Sequence, residues 1–198
     1  MKRIFISCAL FLCTISLSAQ TKMTAKEAAL KIADRILDST TYEFKNTKTG
    51  EVYKSVKKLP LSMDVKVACK YNNWHYTNGV TNIALMELAD KVGDKKYDKY
   101  VLKNMNFVFN EGNLDFFRRQ YDQAFKDGGW NAVRKLSWHM IFRGKRLDDN
   151  GPMGASLIEL QMRHPNEAFL SYVNETADHL NYAEPTRPER ISYAVFCL

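Results

Sequence analysis

Asn78-Gly79-Val80-Thr81-Asn82-Ile83-Ala84-Leu85-Met86-Glu87-Leu88-Ala89-Asp90-Lys91-Val92-Gly93-Asp94 is the stretch on which the fold turns. Ile83, Ala84, Met86, Leu88 and Ala89 belong to one helix, and Lys91-Val92-Gly93-Asp94 carries its stop signal. Tyr97, Tyr100, Val101, Met105, Val108 and Phe109 then make a second helix. A shift of 72 positions brings the pair round again. Gly79 falls on Gly151, Leu85 on Leu157, Glu87 on Glu159, Leu88 on Leu160, Tyr97 on Phe169, Tyr100 on Tyr172 and Val101 on Val173. The Gly93-Asp94 turn meets Pro165-Asn166. Each copy is a glycine-containing loop, a helix, a short turn and a second helix. Such a hairpin cannot bury both of its apolar faces alone, so it stacks on neighbours, as a solenoid or a closed toroid.

Working outward, Thr24-Ala25-Lys26-Glu27 is a capping box. It opens a helix with Ala28, Ala29, Ile32, Ala33, Ile36 and Leu37 on one face, ended by Ser39-Thr40-Thr41. Tyr42 to Leu59 reads as loop with a short hairpin, its turn at Asn46-Thr47-Lys48-Thr49-Gly50. Gly112-Asn113 separates the second repeat helix from a helix over Leu114 to Phe125, and Gly128-Gly129 breaks the chain. Leu147 to Met153 reads as a loop of turn residues, Ala155 to Met162 as helix, His164-Pro165-Asn166 as turn and Ala168 to Leu180 as helix. Strand-like alternation is scarce, so the class is mainly α.

With 198 residues, 45% hydrophobic and 26% charged, the chain is too apolar for a disordered protein. Nine Gly and five Pro are too few for a fibrous one, and four Cys too few for a disulfide scaffold. Lys2-Arg3, the apolar run Ile4 to Ile15 and Leu17-Ser18-Ala19 before Gln20 form a secretory signal peptide over residues 1–19. The run is shorter than the roughly 20 residues of a spanning helix, and no later stretch is apolar enough to span a bilayer. Localisation is therefore periplasmic or secreted. Loss of the signal leaves Cys69 and Cys197, which could pair in an oxidising compartment, and lowers the formal net charge from +7 to +5. That excess suits an acidic ligand or a solvated surface. No basic run with interleaved aromatics points to nucleic acid.

Three segments could carry chemistry. In Tyr71-Asn72-Asn73-Trp74-His75-Tyr76-Thr77-Asn78-Gly79, aromatic faces suit sugar rings and amides suit hydroxyls. The competing reading makes Trp74 and Tyr76 core residues of a helix junction. In Arg146-Leu147-Asp148-Asp149-Asn150-Gly151-Pro152-Met153-Gly154, the paired acids are either a helix N-terminal cap or an acid–base carboxylate whose neighbour raises its pKa. Trp138-His139 with Arg143, Lys145 and Arg146 is either a basic cradle for a carboxylate or a solvated helix face. His139 has no matched Ser or Cys for a triad, and Cys69 sits in an apolar stretch. There is no phosphate-binding glycine loop and no zinc or EF-hand spacing, so neither a metal nor a cofactor is expected.

Taken in order, Trp74-His75-Tyr76-Thr77-Asn78-Gly79-Val80, Gly93-Asp94-Lys95-Lys96-Tyr97 and Leu147-Asp148-Asp149-Asn150-Gly151-Pro152-Met153-Gly154-Ala155 resemble the unsaturated glucuronyl and rhamnogalacturonyl hydrolases, glycoside hydrolase families 88 and 105, the second more closely. The resemblance covers Tyr71 to Leu180. It implies an (α/α)6 toroid. It also implies an acidic oligosaccharide substrate with a 4,5-unsaturated uronic acid at its non-reducing end, as in pectin and rhamnogalacturonan breakdown. In that family an Asp protonates the enol-ether double bond and helps deliver water, and the hemiketal rearranges to release the sugar, unlike ordinary glycoside displacement. By spacing to Gly154, Asp149 matches the family's first catalytic Asp, with Asp148 as the alternative. Tyr76 matches a substrate-contacting Tyr. The site implied combines these with Trp74, His75, Asn78, Trp138, His139, Arg143 and Arg146 as substrate-binding residues.

The family's second Asp, in a Trp-x-Asp segment, has no counterpart in this sequence. Residues 181–198 instead contain Glu184-Pro185-Thr186-Arg187-Pro188-Glu189-Arg190 and end in Tyr193-Ala194-Val195-Phe196-Cys197-Leu198. A full toroid needs on the order of 300 residues or more. The expectation is that residues 20–180 form about half of one, truncated naturally, by frameshift or by a gene split, with exposed apolar helix faces open to self-association. Two outcomes follow: a hydrolase, active or inactivated by truncation, or a non-catalytic half-toroid that binds carbohydrate or pairs with a partner.

Overall fold

The computed structural model describes residues 23–143 and 147–183; for Leu147, Asp148 and Asp149 the description is of the backbone. The signal peptide, Arg146, Cys197 and residues 184–198 lie outside the described residues. The fold is mainly helical. In chain order it comprises α1 (Ala25–Ser39), β1 (Phe44–Asn46), β2 (Val52–Tyr53), a 3-10 turn (Val56–Lys58), β3 (Val65–Val67), α2 (Tyr76–Val92), α3 (Lys96–Val108), α4 (Glu111–Val133), a second 3-10 turn (His139–Phe142), α5 (Leu147–Arg163) and α6 (Glu167–Ala183).

The capping box opens α1 as its residues dictate. The Glu27 amide donates to Thr24 Oγ1 at 3.2 Å, and the Thr24 amide donates to Glu27 Oε2 at 2.8 Å. The apolar face is only partly used. Ala33 is buried, but Ile32 is 63% exposed and Ala29 is exposed. The helix lies at the margin of the core, joined to α3 along a narrow polar strip. Asp34 accepts from the Tyr97 hydroxyl at 2.9 Å and pairs with Lys96 at 2.8 Å.

The hairpin forms where the turn signal stands. The Asn46 side-chain oxygen accepts from the amides of Lys48 and Thr49. A third strand, whose Val65-Lys66-Val67 alternation is too short to mark it in the sequence, completes an antiparallel sheet in the order β2-β1-β3, with Phe44 opposite both Tyr53 and Val67. Its largest buried anchor is Phe44, 1% exposed, whose ring lies 5.6–5.9 Å from those of Phe107, Phe116 and Phe117 on α3 and α4; Val65 and Val67 of β3 are buried beside it. From α4, Gln120 ties the sheet down through a hydrogen bond to the Val65 carbonyl at 2.9 Å. Asn110 caps α4, so Gly112-Asn113 lies inside its first turn rather than before it. Gly128 and Gly129 break the helical geometry of α4, and Gly129, at φ +55°, takes a conformation costly for other residues.

The two helical hairpins arise as the repeat predicts. Gly93 closes α2 at φ +70°, and α3 follows after two residues. The equivalent α5 and α6 are joined by His164-Pro165-Asn166. Leu85, Tyr97 and Val101 are buried, and so are their partners Leu157 and Phe169, while Val173 is half-buried.

The loop expected over Leu147 to Met153 is instead the first turns of α5. Packing overrides the turn propensity of Asn150, Gly151 and Pro152. Asn150, Met153, Leu157 and Leu160 are all at most 4% exposed and fall on one helical face, which closes the core against α2. Pro152 supplies no amide to the Asp148 carbonyl four residues earlier, the cost it normally imposes inside a helix.

Helices α2 and α5 run parallel. Near their N-termini Gly79 touches Pro152 and Met153. At their C-termini Arg163 grips Asp90 with two bonds, 3.0 and 2.7 Å, and also holds Glu159 at 2.7 Å. His164 reaches Asp98 on α3. The Arg163 guanidinium holds the Asp90 carboxyl below its ordinary pKa, so this tie stabilises the fold above the usual carboxylate range and is lost as pH falls through the depressed value. The expected result is that the Asp90→Asn variant shows a flatter fall of melting temperature below about pH 4 than the parent chain. Parallel curves would remove Asp90 from the acid response.

Candidate functional site

The parallel course of α2 and α5 brings the first and third sequence motifs to one end of the molecule. Trp74 and His75 lead into α2, and Leu147, Asp148 and Asp149 begin α5. The link between them is a buried hydrogen bond. The Trp74 indole N–H donates to Asn150 Oδ1 at 2.8 Å, and the Asn150 amide nitrogen donates to the Arg143 carbonyl at 2.7 Å. Asn150 thereby ties Arg143, the start of α5 and the approach to α2 to one another.

The Asn78 side chain does the same work in the first copy. It is 7% exposed, and its amide nitrogen donates to the carbonyls of Lys70 and Asn73 at 3.0 and 2.9 Å. Asn78 and Asn150 stand 72 positions apart, so the repeat carries a matched amide immediately before its glycine in each copy. Neither amide was legible as a junction pin from its own neighbourhood. The register of the repeat was the signal that could have found Asn150.

The candidate binding residues divide into two groups. Trp74 is 1% and Trp138 2% exposed. Trp74 packs edge-on against Tyr172, with ring centroids 5.2 Å apart, and lies 6.4 Å from Trp138. Neither ring offers a face to a sugar, because both fill the aromatic core where the hairpins meet; the core-residue reading describes Trp74. Asn78 is likewise spent on backbone carbonyls. Trp138 also has a left-handed backbone, φ +62°, and its amide donates to Asn73 Oδ1 at 3.0 Å.

His75 and Tyr76 stay at the surface. His75 caps α2, with Nδ1 2.9 Å from Thr77 Oγ1 and accepting from the Thr77 amide at 3.4 Å. Tyr76 is 47% exposed, its ring 4.6 Å from the His75 ring, so it keeps an accessible aromatic surface. His139 Nδ1 lies 2.8 Å from the Leu136 carbonyl. The Arg143 guanidinium lies 4.0 Å over the Trp130 ring, a cation–π contact. Arg143 therefore belongs to an aromatic patch with Tyr121, Phe125 and Trp130, whose rings lie within 6.5 Å of one another. Burial pushes the Tyr121 phenol up, against the opposing pull of Arg143.

A hollow of about 240 Å³ lies elsewhere, between the segment 61–64 and α4, lined by Ser62, Asp64, Gln120, Gln123 and Asp127. No candidate residue lines it. The Cys69 thiol is half-buried and lies 3.6 Å from the Ser39 carbonyl. Among the described residues no helix is long and apolar enough to cross a membrane, and no three His, Cys, Asp or Glu side chains gather as metal ligands. Comparison of the chain with family models gives no match, and comparison with curated proteins gives none.

Proposed function

We propose that the chain is a periplasmic or secreted hydrolase of unsaturated uronyl oligosaccharides, its hairpins forming about half of an (α/α)6 toroid. The observation that carries the reading is the meeting of Trp74–Gly79 with Leu147–Gly154 at the common N-terminal end of α2 and α5. Residues separated by more than 70 positions, and read together as one site, share one end of a helix pair.

In this reading Asp149 gives its proton to one carbon of the enol ether, and water, relieved of a proton by the same carboxylate, adds to the other. The hemiketal then opens to a ketone, which leaves the anomeric carbon as a hemiacetal, and collapse of that hemiacetal to an aldehyde breaks the glycosidic bond and releases the sugar. A carboxyl that is first acid and then base suits both steps. Tyr76 supplies the accessible aromatic wall. A non-catalytic sugar-binding surface built on Trp74, Tyr76 and Trp138 has less support, because two of its three rings are buried.

The test follows loss of the enol-ether absorbance of an unsaturated rhamnogalacturonan disaccharide. Turnover by the chain, and a fall of about 10²–10⁴-fold in Asp149→Asn, are expected. A wild-type rate in Asp149→Asn would refute that residue. No turnover, together with equal calorimetric binding of neutral and acidic sugars, would refute the uronate reading.

A further inference from the structure

The repeat makes one joint inside the chain and leaves both halves of the same joint open on its flanks. On α2, the stripe Gly79, Asn82, Met86 and Ala89 is buried. Helix α5 lies on it, touching Gly79 at one end and reaching Asp90 through Arg163 at the other. Seventy-two positions on, the stripe becomes Gly151, Gly154, Ile158 and Gln161 on α5. Among the described residues this stripe is open. Gly151 is exposed, the other three are half-exposed, and Met162 beside them is 72% exposed. A methyl group built on Gly151 or Gly154 meets no atom within 4 Å.

The reverse comparison gives the complementary half. The face that α5 turns to α2 includes Pro152, Ser156, Leu160 and Arg163; Ser156 and Leu160 are fully buried. Seventy-two positions earlier stand Val80, Ala84, Leu88 and Lys91 on α2. Val80 is 56% exposed, Ala84 and Lys91 are exposed, and Leu88 is half-buried. At 100° per residue these two stripes of α2 lie on opposite sides of the helix. The α2–α5 pair thus ends in a socket-like face on α5 and a matching ridge on α2.

We propose that a second copy of this chain covers the α5 face, laying the Val80–Lys91 ridge of its own α2 along Gly151–Met162. The internal α2–α5 contact is the template. There, a glycine admits the backbone of the residues equivalent to Val80 and Thr81, and small or aliphatic residues fill the stripe. The contact is head-to-tail, so copies add in one direction and either close into a ring or continue as an open array. This inference stands apart from the sugar chemistry, since it uses only the repeat register and the exposure of the two faces.

Light scattering on the purified full chain tests it, with two variants. Gly151→Arg blocks the α5 face and Val80→Arg blocks the α2 ridge, and both arginines carry the same sign, so they add no new attraction. The wild-type chain should show a mass of two copies or more. Each variant alone should fall to the mass of a single chain, with helicity unchanged by circular dichroism. Their equimolar mixture should restore a two-chain species that grows no further, because each supplies the face that the other lacks. If Gly151→Arg loses helicity, Met162→Arg takes its place. A wild-type chain of single-chain mass up to about 100 µM, the outcome if residues 184–198 or no partner covered the face, would overturn the proposal. So would variants that associate as the wild type does, or a mixture that stays monomeric.

Discussion

Gly79→Ala should destabilise the fold by about 1–3 kcal/mol, against the usual helix preference for alanine. The reason is contact with backbone. A methyl at position 79 would come within 2.5 Å of the Pro152 carbonyl oxygen and the Met153 amide nitrogen, and no rotamer change relieves it. Helices α2 and α5 must move apart, which opens the line from Gly79 to the Arg163–Asp90 pair. For a chain of this size each kcal/mol lowers the melting temperature by about 2–4 °C. Gly151→Ala is the control. In the single chain its new methyl meets nothing within 4 Å, so at concentrations too low for copies to associate the helix-propensity gain of about 1 kcal/mol stands and the variant should be neutral or more stable. Equal melting temperatures for the two variants would show that α2 and α5 do not cross at Gly79.

Asn150→Ala carries the second large effect. It leaves the buried Trp74 N–H and the Arg143 carbonyl without the partners they have in the native chain. An abandoned buried donor or acceptor costs about 1–3 kcal/mol. With both affected, a loss of about 2–5 kcal/mol is expected in denaturant melts. Asn150→Asp separates the two bonds, because it keeps the acceptor for Trp74 and replaces the amide donor to Arg143. Trp74→Phe removes the indole N–H while retaining an aromatic ring, so the Trp74→Phe/Asn150→Ala double variant should lose less than the sum of its parts. Strict additivity would mean that the 2.8 Å contact contributes nothing to stability.

The hairpins were legible because their evidence is periodic. Leu85 and Leu157, or Tyr97 and Phe169, mark buried positions in both copies through spacing alone. The capping box of α1 and the Gly93 stop were legible because each acts within one turn of its own sequence. What escaped was decided at a distance. The first turns of α5 look like a loop until α2 is set against them, since Gly151 and Pro152 are tolerated only where packing fixes the backbone. β3 has three residues and is held by Phe44 and Gln120, from segments well away from it in sequence. At the candidate site the sequence brought the two motifs together but ranked their members poorly. Trp74 and Trp138 suit a sugar and a core equally well by residue type, and only burial separates those roles. Tyr76, two residues from Trp74, remains accessible because it begins the helix instead of facing the core.

The seam between α2 and α5 also orders events in folding. Each hairpin joins helices only a few residues apart, so its contacts close small loops, whereas the seam joins segments 72 positions apart. Contacts of long sequence separation form late where loop closure limits the rate. An alteration confined to the seam should then leave the refolding limb of a chevron plot near its native position and steepen the loss on the unfolding side. Gly79→Ala would refold at almost the normal rate and unfold faster, which makes the glycine a guardian of lifetime more than of assembly speed.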